Sequence, residues 1–382
     1  MRSGWSDEVL GNLCNWLSGG TPSKNEPRFW NGDVPWHSAA TMHSNRLSDS
    51  DLTITADGLA AGSKLAPEGS TLLLVRGMSL HKEIRVAHAM RAVAFNQDVK
   101  ALVPGPKVDS WFLTWFLMGR RDELLGLVHE AGHGTGVLAT DVLQAMPVYL
   151  PPIDEQKRIA DVLGALDELI ERDLHLASQC EQLWRSLAAR VVEGGATARL
   201  SDLAQFANGR NFTKDASASG RPIIRTPEVR EGVGSGTLRA DVAADQVNVA
   251  NTGDLLFVWS GSLCTGRWLD EEALVNQHVF KVIPAATWPA WLVEYSVGQL
   301  MDGFLSIAAD KATTMGHIKR ADLDAIVPVP DSDVLPEATA QIEPIREMAL
   351  QLRVEARSLH TTRDELLPLL LSGKVVQREV AA

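Results

Sequence analysis

The chain has 382 residues, 45% hydrophobic and 22% charged, with a formal net charge of −12. That is globular composition with length for two or three separate cores. No stretch is basic: 1–150, 151–196, 197–331 and 332–382 hold 13 basic against 15 acidic residues, 5 against 9, 12 against 16 and 6 against 8, which excludes a protein that grips a polyanion alone and nonspecifically.

MRSGWSDEVL at the start lacks a signal peptide's apolar stretch, and the longest apolar patch, around Trp111 to Met118, is too short to span a bilayer. A cytoplasmic location is expected. Cys14, Cys180 and Cys264 show no paired or metal-type spacing and read as reduced core residues.

After VLGNLCNWLSGG (9–20), short apolar runs at Leu72–Val75 and Val99–Val103 read as buried strands, the second stopping at Pro104. Trp111–Leu127 reads as a helix. Tandem Pro151-Pro152 then opens a heptad run through Ile159, Leu163, Leu166, Ile170, Ala177, Cys180, Trp184, Leu187 and Val191, closed by Gly194-Gly195. A repeat kept that long is a coiled-coil seam in need of a partner.

The partner is in the same chain, because the sequence then repeats itself. RLSDLAQFANGR (199–210) echoes the opening at an offset of 190, matching Leu10 with Leu200, Leu13 with Leu203, Trp16 with Phe206 and Gly19 with Gly209. NTGDLLFVWSGSL (251–263) echoes EGSTLLLVRGMSL (68–80), and LVNQHVFKVIP (274–284) echoes AFNQDVKALVP (94–104), aligning Asn276-Gln277 with Asn96-Gln97. Strands are expected at Leu255–Trp259 and Val279–Ile283 and a helix over Trp288–Ile307, followed by a second heptad at Ile345, Met348, Leu352, Leu359, Leu366 and Leu369, between Pro328/Pro330 and Gly373. Two long helices of roughly 37 residues, about 55 Å at about 1.5 Å per residue, predict one antiparallel pair. Duplication of a domain-plus-helix unit is the simplest account.

With GGTPS (19–23), the two Asn-Gln pairs, LPPIDEQKRIADVLGALDELI (150–170), ATTMGHIKRADL (312–323) and the ending LLPLLLSGKV (366–375), the chain resembles the specificity subunits of type I restriction-modification enzymes. The resemblance runs over essentially the whole chain. The second lead-in, VPVPDSDVLPEATAQI, departs from it by lacking the Glu-Gln pair. The resemblance implies an α+β protein with two mixed α/β target-recognition domains, 1–150 and 197–331, separated by two long helices, 151–196 and 332–382, that form an antiparallel coiled coil with a pseudo-two-fold internal repeat. It implies no catalysis and no cofactor. Each domain would read half of a bipartite duplex DNA target, the helices would set the gap, and modification (methyltransferase) and motor-nuclease restriction subunits would be the partners.

Base reading calls for polar or cationic side chains on loops. Candidates are Thr21, Ser23, Lys24 and Arg28 beside Gly19-Gly20; Arg76, Lys82 and Arg85 after the first apolar run; Arg210, Asn211 and Lys214 at the equivalent turn; and Arg225, Arg230 and Arg267. Any one of them alone could be solvating the surface. The Asn-Gln pairs, shared by domains that should read different sequences, fit a structural turn better than a base contact. Two competing readings remain: a duplicated coiled-coil adaptor without DNA reading, and a zinc peptidase built on His129, Glu130 and His133, an HExxH pattern that Gly132, Gly134 and Gly136 would unwind. Phosphate-loop and dinucleotide-binding patterns are missing. Acidic Asp167, Glu168 and Glu171 read as a solvated helix face or a docking surface.

Overall fold

The computed structural model describes residues 4–310 and 316–374, so Ala312–Met315 of the ATTMGHIKRADL motif and Val375 of the C-terminal motif lie outside the described residues. The chain divides into two compact units, Met1–Glu168 with His360–Ala382, and Leu169–Leu359.

In the first unit Leu10 and Leu13, one turn apart and fully buried, drive a single helical turn, Leu10–Leu13, between strands Ser6–Val9 and Cys14–Ser18. Ser6–Val9 runs antiparallel to Pro147–Leu150. A five-stranded sheet orders Cys14–Ser18, Val99–Pro104, Thr71–Leu74, Val86–Ala89 and Arg46–Leu47; a four-stranded one orders Thr53–Ile54, Trp30–His37, Val93–Phe95 and Lys64–Ala66. Thr71–Leu74 is buried at every position, as a strand covered on both faces must be.

The second unit repeats this plan. Leu200–Leu203 is the equivalent turn, Ala196–Arg199 pairs antiparallel with Ile326–Val329, and one sheet orders Ala204–Asn208, Val279–Pro284, Leu255–Val258 and Cys264–Arg267. Trp30–His37 lies parallel to Val93–Phe95, and Arg221–Ile224 lies parallel to Ala273–Val275. The hydrogen bonds repeat too: Gly105 N donates to Leu13 O at 2.8 Å and Ala285 N to Leu203 O at 2.9 Å, while Leu10 N reaches Met146 O and Leu200 N reaches Ala325 O, both at 2.9 Å.

The copies differ where helices were expected. Over Trp111–Leu127 there are two helices, Ser110–Met118 and Arg121–Gly126, because Arg120 leaves helical geometry (φ −112°, ψ 19°). A Cβ on Gly119 would lie 2.5 Å from Leu371, so the C-terminal helix packs into that break. The second unit keeps one helix, Ala290–Asp310.

The two long helices are Ile153–Val192 and Leu335–Leu371. Within the first unit Ile159, Ala160 and Leu163 share a core with Leu367 and Leu370, and within the second Trp184, Ala188 and Val192 share one with Ala338 and Ile342. Early residues of one helix meet late residues of the other, so the pairing is antiparallel. The seam departs from the heptads read from sequence. Leu166, Cys180, Leu187, Ile345, Leu352, Leu359 and Leu366 are half-buried, and Met348 and Leu369 are 50% and 37% exposed. Asp167, Ala188, Arg346, Arg363 and Leu367 take the buried places instead. Ile159, Leu163, Ile170, Ala177 and Trp184 hold the places the first heptad gave them, while elsewhere the buried face shifts and takes in charged residues that pair with each other.

The first helix is pinned by the Glu-Gln pair of its lead-in. Gln156 is buried, donates to Lys107 O (3.0 Å) and Pro151 O (2.8 Å) and accepts from Asp109 N at 2.8 Å, while Glu155 accepts from the Trp5 indole at 3.1 Å. The second copy manages without that pair: Ala338 fills the core and Thr339 accepts from Trp291 Nε1 at 3.0 Å. Of the three cysteines, which are all free thiols, Cys14 is buried and burial pushes its thiol up to about 12, whereas Cys180 and Cys264 are half-exposed, contrary to a core role for all three. Among the described residues no helix is long and apolar enough to cross a membrane.

Two histidines make the first unit acid-sensitive. His37 and His88 are buried, and burial lowers both to about 4. His88 stacks on Trp111 at 3.7 Å, and His37 Nε2 has no hydrogen-bond partner. Since the unfolded chain takes up these protons near the ordinary 6.5 and the folded chain does not, the stabilisation is complete above that pH and is lost as pH falls through about 4. Urea denaturation at pH 7 and pH 4.5 should show a loss on the order of 2 kcal/mol per histidine, which His88→Gln should reduce.

Candidate nucleic-acid interface

Each unit presents a glycine turn clamped onto the Asn-Gln segment. A Cβ on Gly19 would stand 2.2 Å from Phe95 O and 2.4 Å from Asn96 O, and one on Gly209 would stand 2.2 Å from Val275 O and 2.3 Å from Asn276 O. Hydrogen bonds Gly20 N to Phe95 O (2.9 Å) and Arg210 N to Val275 O (3.0 Å) complete the two clamps. The Asn-Gln segment is a structural element here. Asn96 closes a turn by accepting from Asp98 N at 3.1 Å, and Asn276 is buried.

The clamp fixes the loop that follows. In the first unit Thr21 donates to Gln97 Oε1 at 2.8 Å, Trp36 Nε1 donates to Gly20 O and Trp30 Nε1 to Ser23 O, both at 3.1 Å. Ser23, Lys24 and Arg28 are left exposed, Arg28 lying 5.0 Å over the Phe29 ring with Glu26 at 3.4 Å. In the second unit Arg210 is exposed 5.7 Å over the Phe212 ring, Asn211 accepts from Thr213 at 2.7 Å, and Lys214 is exposed.

The other candidates separate by their partners. Arg76 and Lys82 are exposed at either end of a turn, Met78–His81, held where Gly77 and Arg76 pair with Gly136 and Val137. Arg230 is exposed and reaches Ser262 O at 3.2 Å. Three guanidinium groups are engaged internally. Arg85 bonds Ala39 O and Glu83 (2.7 Å), Arg225 forks onto buried Glu228 (2.6 and 3.2 Å), and Arg267 bonds Gly253 O, Arg346 O and Glu347 (3.1, 3.3 and 3.2 Å). Burial, then the like charge of Arg346, holds Arg267 below its usual range. The structure gathers Thr21, Ser23, Lys24 and Arg28 on one loop and Arg210, Asn211 and Lys214 on its counterpart, and gives Arg85, Arg225 and Arg267 packing roles.

His129–Ala131 is a strand and Gly132–Gly134 a 3-10 turn leading into strand Thr135–Val137. His129 and His133 therefore do not share a helical face, which removes the geometry an HExxH zinc site needs. Among the described residues no group of three or more potential ligands forms a metal site.

Sequence reading missed the ion pairs of the helices. Arg363 bonds Asp167 at 2.5 Å with both side chains buried, and Arg46 approaches the same carboxylate at 3.4 Å. In the second unit Arg353 Nη2 bonds Glu181 at 2.8 Å and Arg346 Nε bonds Glu294 at 2.7 Å. The available signal was Asp167 itself, four residues after Leu163 and three before Ile170, the spacing of a seam position.

Each unit sets a mixed α/β body and a polar loop cluster beside the same glycine clamp, and the long helices run antiparallel. Residues 2–177 match the type I restriction modification DNA specificity domain. The chain is 22% identical to the MjaIX specificity subunit of Methanocaldococcus jannaschii over 98% of this chain and 94% of that protein. It is 29% identical to the EcoR124I/EcoR124II specificity subunit of Escherichia coli over 189 residues, about half the length of each (47% and 47%). Its fold matches the S subunit of a type I restriction-modification system from M. genitalium with a TM-score of 0.60 at 15% identity, over 96% of both chains. Over most of its length the chain is thus similar to type I restriction-modification specificity subunits, with the specificity domain matched in its first half.

Proposed function

We propose that this chain reads DNA for a type I restriction-modification complex, with 1–150 and 197–331 each recognising one half of a bipartite duplex target. The stretches 151–196 and 332–382 set the gap between the halves and dock the modification subunits, to which motor-nuclease restriction subunits add. A cytoplasmic location goes with that role. The observation that carries the reading is the duplication: two units whose main sheets share a four-strand order, each presenting an anchored loop cluster beside the same glycine clamp. Ser23, Lys24, Arg28, Arg76, Lys82, Arg210, Lys214 and Arg230 are the side chains offered to DNA, with Thr21 and Asn211 shaping the loops. Partners supply the positive charge that a chain of −12 lacks. Leu174, Leu176, Leu183 and Met348, all exposed on the long helices, support docking there.

The test is geometric, in the sense that half-site spacing follows from the scaffold that holds two readers apart. Lengthening both long helices by one turn should change the gap and leave both half-sites intact, as read by sequencing methylated adenines in a host that carries the variant and its modification subunits. Changed half-sites with an unchanged gap would refute the reading. Failure of the wild-type complex to shift any duplex on a gel would favour the adaptor without DNA reading, which the acidic surface alone would also fit.

A further inference from the structure

Within the first unit a cavity of about 440 Å³ opens between the turn Met42–Asn45, the stretch Lys82–Ala87 and the helix Arg121–Gly126. Five charged side chains line it, and they are not evenly matched. Glu83 is taken by Arg85 at 2.7 Å. Lys82 is exposed, and no side-chain bond engages its ammonium among the described residues. Arg121 meets a single acceptor, Asn45 Oδ1, at the long distance of 3.4 Å, and its Nε is buried with no partner. The carboxylates behind it are already engaged, since Arg363 bonds Asp167 at 2.5 Å and Asp364 at 2.9 Å. Burial first, and the like charge of Arg363 second, hold the Arg121 guanidinium below its ordinary pKa.

A half-buried guanidinium with no carboxylate in hydrogen-bond reach, although Glu83 and the exposed Asp122 line the same cavity, is costly unless something anionic reaches it. Here a cavity within the size range of small-molecule sites lies open beside it, with a second unpaired cation on its rim and Asn45, Ser44 and His43 as further polar lining. We propose that this cavity binds a phosphate group, gripped by Arg121 from within and by Lys82 at the mouth. A planar fork and a mobile ammonium are the pair that suits a tetrahedral oxyanion. The group can come from the DNA backbone or from a free nucleotide; the site does not depend on the DNA-reading proposal.

Binding of inorganic pyrophosphate to the full chain without DNA, followed by phosphorus NMR line width and by thermal shift, tests this. Saturable binding should weaken at least about tenfold in Lys82→Gln and in Arg121→Gln, the effect of removing one charged hydrogen-bond donor. Because Lys82 is exposed and engages no side chain, its replacement keeps the test readable even if Arg121→Gln does not fold. No binding to the wild-type chain, or undiminished binding to Lys82→Gln, overturns the site. Displacement of pyrophosphate by duplex DNA identifies the backbone as the occupant, displacement by ATP alone identifies a free nucleotide, and displacement by neither overturns the proposal.

Discussion

Gly209→Ala should unfold the second unit or cost it about 4 kcal/mol or more, the range reached when a substitution breaks a constraint the fold cannot relax. The added methyl carbon would stand 2.2 Å from Val275 O and 2.3 Å from Asn276 O, and neither is the end of a flexible side chain. Val275 belongs to strand Ala273–Val275, which pairs with Arg221–Ile224 on one side and Val249–Ala250 on the other, so relief requires pulling a central strand out of its sheet. Gly19→Ala should do the same to the first unit, where the obstacles are Phe95 O and Asn96 O at 2.2 and 2.4 Å. Gly164→Ala is the control: nothing lies within 4 Å of its Cβ, it sits inside a helix, and it should stabilise by about 0.5–1 kcal/mol. Thermal denaturation of the three variants side by side checks the set, and equal melting temperatures for Gly209→Ala and wild type would show that the clamp yields.

Arg363→Met should cost the first unit about 3 kcal/mol, because it strands a buried carboxylate. Asp167 would keep one partner, Arg46 at 3.4 Å, against the 2.5 Å contact it loses. The Arg363 guanidinium also bonds Asp364 at 2.9 Å and lies 6.0 Å from the Trp115 ring, so methionine retains some packing and loses every charged contact. Replacing both partners, Asp167→Leu with Arg363→Met, should recover most of the loss, since a well-packed apolar pair avoids the desolvation of two charges. Urea denaturation of the single and double variants gives the cycle. A single variant within 0.5 kcal/mol of wild type would mean that Arg46 suffices.

The duplication, the two long helices and the strands around Leu72, Leu255, Val99 and Val279 were legible in the sequence because each depends on local periodicity and punctuation. The face of the seam was legible along the first helix at Ile159, Leu163, Ile170, Ala177 and Trp184, but not along the second. Leu166 and Met348 look like seam residues until Asp167 and Arg346 are seen buried beside partners, Arg363 and Glu294, that lie 196 and 52 residues away. The break at Gly119-Arg120 was hidden for the same reason, as it answers to Leu367 and Leu371 from the far end of the chain. In the candidate site, Thr21, Ser23, Lys24 and Arg28 share one loop and Arg210, Asn211 and Lys214 its counterpart, a grouping that follows from closeness in sequence. Sequence could not separate Lys24 or Lys214, which face water, from Arg225 or Arg267, whose donors are committed to Glu228 and to the backbone of the second helix. That sorting is a matter of tertiary partners, to which composition is blind.

The chain makes its second unit from one uninterrupted stretch, Leu169–Leu359, and its first from two, the later being His360–Ala382. On a ribosome the inner stretch therefore emerges whole while its neighbour still waits for Leu367 and Leu370, which complete the core around Leu163. Synthesis from one end to the other makes the unit begun first the one finished last. Until the closing turns arrive, a newly made chain carries an open apolar groove, a natural place for chaperones to hold and for proteases to discard what stalls.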